Sequence, residues 1–218
     1  MVFFLIYNID LILYQFFTYM ITTESLIQQS LTRAYNYTDY RKHVSALLAD
    51  GMSTGHNQSE ALTHYSSLNE TRMNRLDKTL AVPAEIADKL KGLGNNYLFL
   101  VITEGWCGDA AQIVPVLNKM ALATDKIDLK LVLRDDNAEL MDAYLTNGAR
   151  SIPKLVVVNP DTLEPIASWG PRPAEGAAII IDNKAKFGVV TDEAKTELQK
   201  WYTKDKGLST MNEVLTLL

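Results

Sequence analysis

Residues 97–103, YLFLVIT, form an unbroken run of aromatic, aliphatic and β-branched side chains. A run of that composition with no polar side to present to water suits a strand buried on both faces. It breaks at Glu104-Gly105 and passes through Trp106-Cys107 into a helix expected over about 108–123. Pro115 lies inside that helix and should kink it or remove one backbone bond. A second strand is expected over 128–134, followed by a helix over 138–145. Residues 154–158 and 165–169 read as strands joined by a turn at Asn159-Pro160-Asp161, hence a hairpin. Helices over about 174–187, 192–206 and 210–217 complete the pattern. The order strand–helix–strand–helix–strand–strand–helix makes an α/β sheet with a terminal hairpin.

Upstream of this region the pattern is helical. Leu26, Leu31 and Ala34 mark one helix; Thr38 is the expected cap of a second, with Val44, Leu47 and Leu48 as its apolar stripe. Residues 51–57 have loop composition, and Ser59 reads as the N-cap of a longer helix reaching about Lys78. Its expected inner stripe is Leu62, Tyr65, Leu68, Met73 and Leu76. Pro83 fits the first turn of another helix, ending near Gly92 or Gly94. The expected organisation is an apolar segment over 1–22, a helical extension over 23–94 and the α/β domain over 95–218. Arg72 and Arg75 are expected on the surface, pairing with Glu70 or Asp77, and Glu104 as a solvated loop acid. Tyr35, Tyr37 and Tyr40 read as packing residues.

Residues 1–21 are apolar and about long enough to span a bilayer. They have no basic leading region and no small-residue cleavage site, and Asn8, Asp10 and Gln15 interrupt them. Met20 opens a conventional soluble sequence, so the expectation is an over-extended start with translation from Met20. The alternatives are a membrane anchor, which alone would bring the protein to a membrane, or a buried or partner-binding segment.

Charge and cysteine usage narrow the chemistry. A net charge of −5 without clustered Lys and Arg gives no electrostatic footprint for nucleic acid. Cys107 is the only cysteine, so an internal disulfide is impossible and a thiolate-built zinc site is ruled out for the monomer. His43, His56 and His64 have no carboxylate cluster with them, and no metal or cofactor is expected. The absence of structural disulfides suits a reducing compartment, and the expected location is the cytoplasm.

Three features then come together. Trp106-Cys107-Gly108-Asp109-Ala110 sits between strand and helix, Ile152-Pro153 stands just before a strand, and Trp169-Gly170 ends the hairpin. Over residues 97–190 this resembles the thioredoxin superfamily, whose motif is Trp-Cys-Gly-Pro-Cys and which places a cis-proline opposite the active cysteine. The N-terminal helices, with their Arg72–Lys78 stretch, look like those of a group of small bacterial thioredoxin-like proteins. The resemblance implies a thioredoxin-like central sheet of four or five strands flanked by helices, with Cys107 in contact with Pro153.

The chain departs from the family at three positions. Ala110 replaces the resolving cysteine, Asp109 replaces the family proline, and Val101 stands where many thioredoxins carry a buried carboxylate. A helix terminus stabilises an anion by about 0.3–1 kcal/mol. A carboxylate about 7 Å away opposes it by about 0.6 kcal/mol in water. The near balance predicts a modest depression of the thiol pKa, tipped further if Arg172 points inward. The implied function is thiol–disulfide exchange by a monothiol route, with Cys107 as nucleophile and an external thiol resolving the adduct. Trp106, Gly108, Asp109, Ile152, Pro153, Gly170 and Arg172 would shape the substrate groove. The partner would be a protein or small thiol held as a mixed disulfide. The alternative is a non-catalytic module that binds a peptide or protein in the same groove.

Overall fold

The computed structural model describes residues 22–218. The apolar segment and the choice of start site therefore lie outside the described residues. Four helices come first: α1 (Thr23–Leu31), α2 (Tyr37–Ala49), α3 (Glu60–Thr79) and α4 (Ala84–Lys91). There follow β1 (Tyr97–Thr103), α5 (Ala110–Leu122), β2 (Ile127–Leu133), α6 (Ala138–Ala143) and the hairpin β3 (Lys154–Val158) and β4 (Pro165–Trp169). Three helices follow the hairpin: α7 (Ala174–Phe187), α8 (Asp192–Asp205) and α9 (Leu208–Leu215).

The helix starts follow local hydrogen-bond chemistry. Thr22, Asn36, Ser59 and Thr191 each accept from the backbone N–H three residues on, filling donors that the first turn leaves free. Asn36, not Thr38, caps α2, because the chain is still extended at Asn36 and already helical beyond it. Pro115 is accommodated inside a continuous α5, which costs one backbone bond on a helix packed from every side. α6 stops at Ala143, two residues before the expected end. α9 starts earlier than expected because Gly207, at φ 80°, turns the chain sharply out of α8.

The sheet order is β2-β1-β3-β4. β1 is central, parallel to β2 and antiparallel to β3, and all of its residues are buried. This is the environment its unbroken apolar sequence demands. Tyr35, between α1 and α2, exchanges two backbone hydrogen bonds of 2.8 Å with Leu131 along the outer side of β2. α3 and α9 pack on α5, α1 packs on α6 and β2, and one continuous core runs from Leu26 to Val214. The fold is thus a mixed α/β domain with its sheet flanked by helices, and the N-terminal helices share its core. Among the described residues, no helix is long and apolar enough to cross a membrane.

Packing of α3 differs from the expected stripe. Tyr65 and Leu68 are exposed, and the inner face is Ser66, Asn69, Met73 and Leu76. The reason lies in what that face meets. Ser66 hydrogen-bonds Ser53 at 2.6 Å, and Asn69 reaches the turn that follows β1.

Candidate active site at Cys107

β1 delivers the chain to a turn held at several points. The Gly105 N–H donates to Thr54 Oγ1 at 2.8 Å, and the Gly105 carbonyl accepts from Asn69 Nδ2 at 2.9 Å. The Cys107 N–H donates to the Glu104 carbonyl at 3.1 Å, and α5 then starts with Asp109 at its N-cap position. Cys107 Sγ ends 3.3 Å from the Ile152 carbonyl oxygen, to which the thiol donates, and 3.5 Å from the Ala110 N–H, which donates to it. The Ile152-Pro153 bond is cis. Gly170 closes on the same loop from β4: at φ 115°, a Cβ there would stand 2.3 Å from the Pro153 carbonyl oxygen. Cys107, Ile152, Pro153 and Gly170, far apart in sequence, thus occupy one place.

Arg172 points inward. Its Nη2 lies 2.6 Å from Asp109 Oδ2, while Tyr202 donates to Asp109 Oδ1 at 3.0 Å. Asp109 is 8% exposed, and burial pushes its carboxyl pKa up while Arg172 pulls it down. Trp106 is half-buried, with the Arg134 guanidinium 4.8 Å from its ring centroid, a cation–π contact. Gly108 is also half-buried, and Arg72 Nη1 lies 3.7 Å from where a Gly108 Cβ would stand.

The thiol does not follow the expected modest depression. Burial first, and the Asp109 carboxylate second, push it from an ordinary 9.0 up to about 12, although the Ala110 and Asp109 N–H groups and Arg172 act the other way. That rise corresponds to about 4 kcal/mol against the thiolate. A helix terminus contributes at most about 1 kcal/mol in its favour, so burial wins. The local balance of helix and carboxylate omitted desolvation, which only the tertiary fold determines.

Two further expectations are corrected. Arg72 does not pair with Glu70 or Asp77; it donates to Asn69 Oδ1 at 2.7 Å, while Arg41 bridges Glu70 at 3.0 Å and also Asp77. Glu104 is fully buried, not solvated: its Oε1 accepts the Asp135 N–H at 3.0 Å and its Oε2 is unpartnered. Burial raises the Glu104 pKa. A carboxyl whose folded pKa lies above its unfolded value favours the fold below the unfolded pKa, and loses that contribution as pH rises through the folded one. Glu104→Gln should therefore stabilise the protein by about 1 kcal/mol at pH 7, with the gain vanishing in acid. Urea midpoints at pH 4 and pH 7 check this; a lower midpoint for the variant at pH 7 would show that the charge is needed.

Sequence reasoning missed Thr54, Asn69, Glu104, Gln199 and Tyr202. Only Asn69 left a signal, since the Met73–Leu76 spacing continues backward through Asn69 to Ser66 if polar residues are allowed on the inner face. His56 pairs with Asp136 at 2.9 Å on the surface. Among the described residues, no three His, Cys, Asp or Glu side chains gather as metal ligands.

Comparison with known proteins bears on the fold and the family of the chain. The chain resembles a protein of unknown function from Pseudomonas aeruginosa, at 17% identity and a TM-score of 0.53, covering 69% of this chain and 84% of that one. An HIV epitope-scaffold is similar at 15% identity and a TM-score of 0.51, covering 84% of this chain and 97% of that one. These likenesses concern the fold alone. No curated protein matches the sequence. The family described as Thioredoxin matches residues 55–187, a span that includes α3, the cysteine motif, the cis-proline and the hairpin. That span is more than half of the sequence, and the chain belongs to this thioredoxin family.

Proposed function

We propose that the protein carries out thiol–disulfide exchange through Cys107 alone. The observation that carries this reading is the position of Cys107 Sγ, between the Ile152 carbonyl beside cis-Pro153 and the first N–H of α5. Ala110 stands one turn on and supplies no second thiol. In the exchange, the Cys107 thiolate attacks one sulfur of a substrate disulfide. The new Cys107–sulfur bond forms as the substrate S–S bond breaks, and the departing thiolate takes up the proton that Cys107 gave up. A low-molecular-weight thiol then attacks the mixed disulfide, restoring Cys107 and carrying off the bound half as a new disulfide. In this reading Trp106, Gly108, Asp109, Ile152, Pro153, Gly170 and Arg172 would shape the groove that receives the substrate. The partner is a protein or small-molecule disulfide. Resolution from outside suits the cytoplasm, where small thiols are kept reduced.

The test uses a dipyridyl disulfide on the folded protein. We expect one adduct by intact mass, release of one pyridinethione, and full return to the starting mass with excess small thiol. Because burial holds the thiol pKa above its ordinary value, adduct formation should accelerate as the pH is raised from 7 to 9. One observation favours a second reading: Cys107 is only 8% exposed, as a binding module that never uses its thiol would allow. No adduct at pH 9, with rapid reaction after unfolding, would end the exchange reading and leave the second.

A further inference from the structure

The thioredoxin match ends at residue 187, and α8 lies beyond it. α8 nevertheless reaches the site. Tyr202 donates to Asp109 at 3.0 Å, and Gln199 accepts from Gln112 Nε2 at 2.8 Å. Gln199 Nε2 also stands 3.9 Å from the position of a Gly108 Cβ. These contacts fall on the first turns of α5, beside the sulfur. Thiol–disulfide exchange needs an S–S bond to approach Sγ from outside, and Cys107, Asp109 and Ile152 are all buried.

The attachment of α8 is uneven. It buries Ala194, Leu198 and Tyr202 and packs on α7, where the Trp201 ring comes within 3.0 Å and Leu198 Cδ1 within 3.3 Å of a Gly176 Cβ position. Gly176 is the only buried residue of α7, whose far end exposes Ile181 and Phe187. The pair is tied at its two ends, by the Ala174 N–H donating to Glu213 at 2.8 Å and by Gly207 against Val116. Between those ties, two side-chain hydrogen bonds join α8 to the start of α5.

We infer that α8 is a displaceable cap over Cys107, latched by Tyr202–Asp109 and Gln199–Gln112, and that a disulfide reaches the thiol only when the latch opens. The inference rests on Cys107 being the exchanging thiol. Local opening of this kind costs less than global unfolding and leaves the sheet intact. The latch holds the resting protein closed, and a substrate that engages the groove competes with Tyr202 and Gln199 for it.

Hydrogen exchange on the full chain tests the cap without reference to thiol pKa. In the Tyr202→Phe/Gln199→Ala variant, α8 amides should exchange at least tenfold faster, with β1 amides unchanged. Wild-type protein carrying the pyridyl adduct on Cys107 should show the same loss of protection in α8. The adduct measurement keeps the test decisive if the double variant fails to fold, and Tyr202→Phe alone offers a milder second variant. Unchanged α8 exchange in both variant and adduct would overturn the cap. A reversible mixed disulfide formed with α8 still protected would also remove it, while leaving the exchange reading in place. Release of α8 by the variants without any reversible mixed disulfide would keep the cap and end the exchange reading.

Discussion

Gly170→Ala should cost about 3 kcal/mol or more and leave little folded protein under mild denaturing conditions. Gly170 sits at φ 115°, a backbone region that L side chains rarely adopt, so the added methyl group is strained before any neighbour is considered. Its neighbour is the Pro153 carbonyl oxygen, 2.3 Å from the new Cβ, with the Lys154 Cα at 3.5 Å. These are backbone atoms and cannot swing aside as a side-chain tip does. β3 leaves from Lys154 into the centre of the sheet, so relief of the clash would have to move a buried strand. Against a total stability of about 5–15 kcal/mol, such a loss is a large fraction of the whole. Circular dichroism in urea measures it; a midpoint equal to wild type would show that the β4 loop does not approach Pro153 this closely.

Ala110→Cys should convert a monothiol site into a dithiol one. Ala110 is buried, opens α5 and has its N–H 3.5 Å from Cys107 Sγ. Positions three apart at a helix start fall within the Cα separation that disulfides accept, about 4.4–6.8 Å. Mild oxidation should yield a species lighter by two hydrogens that resists thiol-blocking reagents. Wild type should show weak or absent turnover in an insulin-type reduction assay, because no internal thiol releases its mixed disulfide. The variant should gain measurable turnover, below that of an ordinary thioredoxin because Asp109 and Val101 remain. Failure to form the disulfide, read by mass after blocking free thiols, would mean that the helix start is remodelled, and would strengthen the binding-module reading.

How much was legible in the sequence depended on the range of the interactions involved. β1, the hairpin and the course of α5 came from short-range pattern, since a buried central strand and a turn between strands announce themselves within a few residues. The nearness of Cys107 to the Ile152-Pro153 loop was an expectation from the family resemblance; in the structure Cys107 Sγ lies 3.3 Å from the Ile152 carbonyl oxygen. Glu104 was misread because an acid after a strand is usually solvated; here it is buried, and its Oε1 accepts from the Asp135 N–H, 31 positions away. Tyr202 meets Asp109 across 93 positions of sequence, and no local signal marks either as a partner. The direction of Arg172 was left open by the sequence, as a condition on the thiol; in the structure it points inward. It pairs with Asp109 there, and burial still outweighs it.

The bridge between Tyr35 and Leu131 bears on self-association. β2 is an outer strand of the sheet, and an outer strand offers its free N–H and C=O groups to any extended chain that comes alongside. Tyr35 takes both groups of Leu131, with α1 and α2 packed against the same strand. The opposite border starts at Pro165, which has no N–H to offer, and the hairpin register shifts between Val157 and Val158. The helices before the sheet thus occupy the edge along which two copies would otherwise zip into a continuous sheet, and a chain shortened past Tyr35 would expose that template.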